Sequence, residues 1–223
     1  MSIAVKICGI NDACGFDAAC DAGADMVGFV FFPPSPRAIT PAAAAALSVR
    51  RAGGPRRVGL FVDPDDAAIA AVLEAVPLDM LQLHDIASPD RARAIRTRFS
   101  LDTIIAIGVA SREDAAAGIG RFGSVSTMLL FDALPPAPGT PGALPGGNAR
   151  AFDWSVLRGL AVPVPWLVAG GLTPENVAEA IRTSCARGVD VSSGVEARRG
   201  VKDPGLIAAF VAAAKACRAE ASP

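Results

Sequence analysis

Short runs of valine, isoleucine and leucine recur about every 20 to 30 residues, at 3–8, 25–31, 57–62, 79–83, 102–107, 126–131, 164–169 and 188–192. Each run is nearly continuous in apolar residues rather than alternating. That is the pattern of a strand covered on both faces, as parallel strands joined by crossover helices are. The intervening segments carry helical spacing, at residues 41–50, 65–75, 89–98, 112–118 and 174–182. Thr40-Pro41, Ser88-Pro89 and Thr173-Pro174 each set a hydroxyl before a proline. This predicts a capping side chain followed by proline at the first helical position.

A β/α rhythm of this kind fits either an open doubly wound sheet or a closed barrel. Eight units, with no Gly-x-Gly-x-x-Gly after the first strand, favour closure. The chain is therefore expected to form a single α/β domain over residues 1–223, a (β/α)8 TIM barrel, which needs somewhat over ~200 residues. One stretch breaks the rhythm. Residues 133–151, after the sixth strand, are too rich in proline and glycine to pack as an element. A loop of this length is a lid over the adjoining face or a floppy insertion.

Composition narrows the partners. The chain has 21 lysines and arginines against 22 acidic residues, so it presents no overall basic field to a nucleic acid and no polybasic run to a lipid surface. No apolar run approaches the ~20 residues of a membrane span, and the first residues lack the pattern of a secretion signal, so a cytoplasmic location is expected. Five cysteines show no Cys-x-x-Cys pair and there is one histidine, which leaves the usual structural zinc sets without ligands. No metal is expected, and the thiols read as reduced.

In a barrel of this kind the strand ends converge on one face, where chemistry collects. Cys8 ends the first strand and Asp132 the sixth. Taken singly, the cysteine reads first as a small core residue, and the carboxylate reads as well as a local cap as a functional group. Arg37 follows the second strand, where its planar guanidinium could grip a carboxylate through two parallel hydrogen bonds. Gly170 and Gly171 follow the seventh strand, and Ser192, Ser193 and Gly194 follow the eighth, ahead of an expected short helix. These loops offer backbone N–H groups, hydroxyls and a helix N-terminus to an anion, in the strands where barrel phosphate sites commonly lie. Gln82 and His84 alternate along the fourth strand and face the pocket together, and Asp190 points inward from the eighth. Lys6 shares the side of Cys8 one layer deeper, which makes it a poor cation for that thiol and leaves open a buried ion pair. Glu175, Asn176 and Glu196 read as stabilisers of helix starts.

Taken in order, Lys6-Ile7-Cys8-Gly9, Gly23-Ala24-Asp25, Ser35-Pro36-Arg37, residues 58–62, Gln82-Leu83-His84, residues 169–177 and residues 190–196 resemble the phosphoribosylanthranilate isomerase family of tryptophan biosynthesis, from residue 6 to about residue 210. The resemblance implies an Amadori rearrangement of a small-molecule phosphoribosyl substrate, without cofactor. It places Asp132 on the general acid that opens the furanose ring and Cys8 on the general base that removes the C2′ proton. Arg37 falls on the holder of the anthranilate carboxylate, and His84 on a position that lines the site without being the main proton carrier. A monomer rather than a homodimer is expected, with neither nucleic acid nor membrane as partner.

The chain departs from the family pattern at Asp85, where glycine is usual after the histidine, and at Asn148 and Ala149, within a stretch that usually reads Gly-Gly-Thr-Gly. A related isomerase of the histidine pathway carries aspartate where this chain has Cys8, and indole-glycerol-phosphate synthase has strand lysines and glutamates without equivalents here. A catalytically idle phosphate sensor is the reading from another class. Of the two proton carriers the acid is the harder to supply, because at its ordinary pKa a carboxyl is protonated only about once in a thousand at pH 7. It must be raised, through burial at the barrel mouth or the nearby phosphate and carboxylate of the substrate.

Overall fold

The computed structural model describes residues 2–135, 146 and 151–217. The eight apolar runs form β1 (Ala4–Cys8), β2 (Met26–Val30), β3 (Arg56–Val62), β4 (Met80–His84), β5 (Asp102–Val109), β6 (Met128–Ala133), β7 (Trp166–Val168) and β8 (Gly188–Val191). Each pairs in parallel with the next, and β8 pairs back to β1 with Lys6 beside Asp190, which closes the barrel. Closure leaves no open edge and explains why the strands need apolar residues on both faces.

The two faces of the barrel wall bury different sets. Outward-facing residues such as Ile7, Phe29, Leu81, Ile105 and Val189 join the helices in one large core. Inside, Met26, Val58, Met80, Ile104, Leu130 and Leu167 fill the lower barrel as a second core. The layer above them is polar: Lys6, Gln82 and Asp190 are all buried there. Period-two alternation along each strand therefore sends one residue to the helices and the next to the barrel axis.

Among the described residues, seven helices surround the barrel: α1 (Ala13–Asp21), α2 (Pro41–Ser48), α3 (Asp66–Leu73), α4 (Pro89–Phe99), α5 (Arg112–Phe122), α6 (Val177–Ser184) and α7 (Pro204–Ala216). Between β6 and β7 the described residues hold only a short 3-10 turn, Trp154–Leu157. Thr40 and Ser88 cap α2 and α4 as expected, each hydroxyl accepting from a backbone N–H three residues on, with proline following. Thr173-Pro174 does not start a helix. The Thr173 N–H donates to Asn176 Oδ1 and the Asn176 amide donates to the Gly171 carbonyl, so this segment closes a turn and α6 begins at Val177. After β8, a three-residue 3-10 turn (Ser193–Val195) leads into an antiparallel pair, β9 (Glu196–Arg198) and β10 (Val201–Lys202). Most of the predicted lid, 133–151, with Asn148 and Ala149, lies outside the described residues. No helix among the described residues is long and apolar enough to cross a membrane.

Candidate functional site

At the C-terminal end of β1, alternation turns Lys6 and Cys8 inward, and both are buried. Lys6 Nζ donates to Asp190 Oδ1 at 2.9 Å, the neighbour that the β1–β8 register sets beside it. Burial alone would lower the Lys6 pKa, but Asp190 and then Cys8 outweigh it and hold the ammonium above its ordinary value. The Cys8 thiol is pushed up by burial first. The charge of Lys6 opposes this, Asp190 reinforces it and Lys202 opposes it. The expectation that Lys6 lies too deep to act on Cys8 is therefore overturned. The reason is Gly28, the β2 neighbour of Cys8, which has no side chain to separate them.

Asp132 faces the barrel axis from β6, and its Oδ1 accepts the Ala133 N–H at 2.8 Å. Burial, followed by the charge of Asp190, raises its pKa to about 7, against smaller opposing effects of the Ala133 N–H and Lys6. A carboxyl in that state is roughly half protonated at pH 7, where an ordinary one would be almost wholly ionised. Burial acts as the sequence leads one to expect, while the anion that acts before any ligand binds is Asp190 of the protein rather than a phosphate or carboxylate of the substrate.

Arg37 is only 4% exposed. Its Nε and Nη2 donate to the two carboxylate oxygens of Glu196 at 2.6 and 3.1 Å, so one edge of the guanidinium is already occupied. A carboxylate ligand would have to use the other edge, through Nη1. Glu196 is thus not a helix-start stabiliser. It belongs to β9 and holds Arg37, Lys202 and the Gly200 N–H. Burial raises its pKa, but Arg37 and Lys202 outweigh that and keep the carboxylate ionised. Gly9, at φ 77°, makes room for the arginine: a Cβ there would lie 2.6 Å from Arg37 Cδ.

Lys202 is a site residue that sequence reasoning missed. It is 5% exposed, and its ammonium donates to the Ser192 carbonyl at 2.8 Å and to Glu196 at 3.0 Å. Ser192 Oγ in turn donates to the carbonyl of Cys8 at 3.2 Å. The chain from Arg37 through Glu196, Lys202 and Ser192 thereby ties the loop after β8 to the end of β1. Nothing local in the sequence marks Lys202, because its partners come from other elements.

The loops after β7 and β8 meet at the rim. Gly170 and Gly171 have φ of 83° and 64°, a left-handed pair that side chains rarely allow. Gly194 lies so close to the other loop that a Cβ would fall 1.8 Å from the Leu172 carbonyl oxygen. The Ser193–Val195 turn is three residues long, too short for the helix dipole expected there, so an anion held at this rim would have to rely on backbone N–H groups and the hydroxyls of Ser192 and Ser193. Gly194→Ala should force the two loops apart. It should raise KM and the inhibition constant for inorganic phosphate at least about ten-fold, roughly 1.4 kcal/mol, with a smaller change in kcat. Unchanged phosphate inhibition in that variant would remove this pair of loops from anion binding.

On β4, Gln82 and His84 are both buried, with Gln82 Nε2 2.9 Å from His84 Nε2. A donating Gln82 amide leaves that imidazole nitrogen as acceptor. Gln82 Oε1 is buried with no hydrogen-bond partner among the described residues. Such an acceptor is costly to leave unpaired and suits a donor on a ligand. Asp85, where the family resemblance leads one to expect glycine, sits at φ 53°, a left-handed position that aspartate tolerates better than most residues.

Cys8, Arg37, Gln82, His84, Asp132, Gly170, Gly171, Asp190, Ser192 and Ser193 all line one cavity that opens at the C-terminal mouth of the barrel. Val30, Phe32, Leu60, Val62, Leu134, Ala169 and Leu172 supply apolar wall, suited to a flat aromatic group. Gly194 stands behind this lining and shapes it through Leu172. The cavity thus offers an acid, a thiol, a guanidinium and an anion cradle around an apolar slot.

The family model for N-(5′-phosphoribosyl)anthranilate isomerase matches residues 5–213. The chain belongs to this family. An N-(5′-phosphoribosyl)anthranilate isomerase of Paracoccus denitrificans is 54% identical, over 97% of this chain and 99% of that protein. Among solved structures, the phosphoribosylanthranilate isomerase of Thermotoga maritima superposes with a TM-score of 0.84 at 35% identity, covering 96% of this chain and all of that one. An isomerase in complex with reduced 1-(o-carboxyphenylamino)-1-deoxyribulose 5-phosphate is 34% identical with a TM-score of 0.79, over 96% of this chain and 100% of its own. Family membership thus extends across the whole barrel, including every strand that contributes to the cavity.

Proposed function

We propose that the protein converts N-(5′-phosphoribosyl)anthranilate into 1-(2-carboxyphenylamino)-1-deoxyribulose 5-phosphate, an aldose–ketose isomerisation of tryptophan biosynthesis. The observation that carries this reading beyond family membership is a carboxyl with a pKa of about 7 opening onto the same cavity as the Cys8 thiol. Protonated Asp132 gives its proton to the furanose ring oxygen, the C1′–O bond breaks, and the anilino nitrogen forms a Schiff base with C1′. Cys8, as thiolate, takes the C2′ proton and leaves an enolamine. Loss of the hydroxyl proton at C2′ and protonation at C1′ then give the ketone, so the atoms are conserved and no external oxidant or cofactor is needed.

The remaining groups bind and orient. The free edge of Arg37 meets the anthranilate carboxylate, the ring lies against the apolar wall, and the loops holding Gly170, Gly171, Ser192, Ser193 and Gly194 take the phosphate. Gln82 Oε1 and Asp190 face the sugar and its nitrogen as acceptors, and His84 orients Gln82. One chain holds all of these residues, so the site does not need a partner subunit to be complete; the proposed active unit is a monomer, and its proposed location is the cytoplasm. A sedimentation profile showing only dimer at assay concentration would overturn the monomer.

The test of the activity is incubation with freshly prepared phosphoribosylanthranilate, with chelator present, following the loss of anthranilate fluorescence. Multiple turnovers per enzyme are expected. Ligand binding without turnover would instead favour a phosphate-ligand sensor.

A further inference from the structure

Lys6 is among the largest fully buried side chains of the described residues, and the proposed proton transfers leave it without a role. A lysine buried only to neutralise Asp190 would be an expensive arrangement, since a buried pair often stabilises no more than apolar residues of the same volume. Its position suggests a further use. β1 places Lys6 and Cys8 on the same side two residues apart, and the β2 residue beside Cys8 is Gly28. A Cβ built on Gly28 would lie 3.0 Å from Cys8 Sγ and 3.1 Å from Lys6 Nζ. The sulfur and the ammonium therefore close on one gap that exists because position 28 has no side chain.

We propose that Lys6 is a positioning residue for Cys8: its ammonium, pinned by Asp190, reaches past Gly28 to the sulfur, orients it into the cavity and favours the thiolate that burial and Asp190 disfavour. This rests on the function proposed above. The charged groups that act on the sulfur are Lys6 from β1, Asp190 from β8 and Lys202 from β10, while β2 contributes none at Gly28. Asp190 serves two opposed ends. It anchors the ammonium, and its own charge disfavours a second anion nearby, both at Cys8 and at Asp132. Lys6 offsets that repulsion at the sulfur. It remains a cation throughout, since Asp190 and Cys8 outweigh burial and keep its proton on, so the C2′ proton goes to sulfur and not to nitrogen. The same ammonium opposes the rise at Asp132, but there it is the smallest of the four influences. At Cys8 the same charge ranks second, behind burial alone.

The test reads the thiol directly, in protein without substrate, by alkylating with iodoacetamide from about pH 6 to about pH 10 and quantifying the Cys8 peptide by mass spectrometry. Lys6→Met alone would strand a buried carboxylate, so Asp190→Asn is compared with Lys6→Met/Asp190→Asn. The single variant should ionise Cys8 at a lower pH than the wild type, and the double variant at least about one unit above the single, a ten-fold loss of thiolate at fixed pH. Gly28→Ala keeps every charge and wedges a methyl between the two atoms. It should also raise the alkylation midpoint and lower kcat several-fold, with KM within about two-fold. Identical alkylation profiles for the single and double variants would overturn the proposal. If the double variant does not fold, an unshifted midpoint in Gly28→Ala overturns it. Failure of the proposed reaction would show instead as wild-type protein without turnover whose Cys8 still responds to Lys6.

Discussion

Asp132→Asn should lower kcat by about 10²–10⁴-fold, the range over which a positioned general acid acts, while leaving KM within a few-fold. Asparagine retains an oxygen for the Ala133 N–H that Asp132 Oδ1 now accepts at 2.8 Å, so the side chain should stay in place and lose only its proton. The same substitution should stabilise the protein, and the sign follows from linkage. The carboxyl has a folded pKa of about 7 against an ordinary 3.8. The folded state therefore holds this proton more tightly than the unfolded chain does. Its contribution is fully present below about pH 4 and is lost as pH rises through about 7. Above that, the wild type carries a buried carboxylate worth up to about 4 kcal/mol of destabilisation that asparagine does not impose. Urea unfolding at about pH 5 and about pH 8.5 should show an advantage for the variant that grows with pH. An equal advantage at both would mean that Asp132 is not held protonated by the fold. A large loss of kcat with a gain in alkaline stability is the signature of a group kept in an unfavourable place for its chemistry.

Much of this barrel is legible because parallel strands buried on both faces read as unbroken apolar runs, and all eight expected runs coincide with observed strands to within about two residues at either end. Local capping is legible where the bond is local: Thr40 and Ser88 cap helices through N–H groups three residues away. It fails at Thr173, where the side chain of Asn176 captures the Thr173 N–H and closes a turn that the Thr-Pro pattern cannot reveal. The helical segments named from the sequence do not include α1 and α7, although the contrast between their faces is no weaker than in α2 and α3, which they do include. Cys8, Asp132 and the two glycine loops stand out because strand ends in a barrel must converge.

What stays hidden in the sequence are partnerships across the closed barrel. Glu196 lies 159 residues from Arg37 and looks locally like a helix stabiliser, and Lys202 gives no signal at all. Strand geometry alone argues against Lys6. Its reach to Cys8 depends on the missing side chain at Gly28, a fact about a different strand.

Cys8→Ala should be as damaging as loss of the acid, and Cys8→Ser nearly so, because a hydroxyl yields almost no anion near neutrality. The wild-type pH profile carries the more discriminating expectation. Reaction requires Cys8 as thiolate and Asp132 as acid at the same moment. Burial, followed by the charge of Asp190, leaves the thiol above its ordinary value of 9.0 despite Lys6 and Lys202, while the carboxyl has a pKa of about 7. The group that must be protonated is thus the stronger acid of the two. The reactive form is then a minority at every pH, about one molecule in a hundred or fewer at best for a gap of two units or more. Its population rises with pH up to about 7, stays level until the thiol itself ionises, and then falls. kcat/KM should follow that shape, with an ascending limb near pH 7 and a plateau above it. A descending limb near pH 7 would mean that Cys8 is already ionised below Asp132, and so that the field of Lys6 and Lys202 overcomes burial. Substrate adds negative charge near both groups, which moves both pKa values upward in the complex and shifts the ascending limb of kcat to higher pH than that of kcat/KM. If the two ascending limbs coincide, the bound anions do not reach Asp132, and the acid is poised by the protein alone.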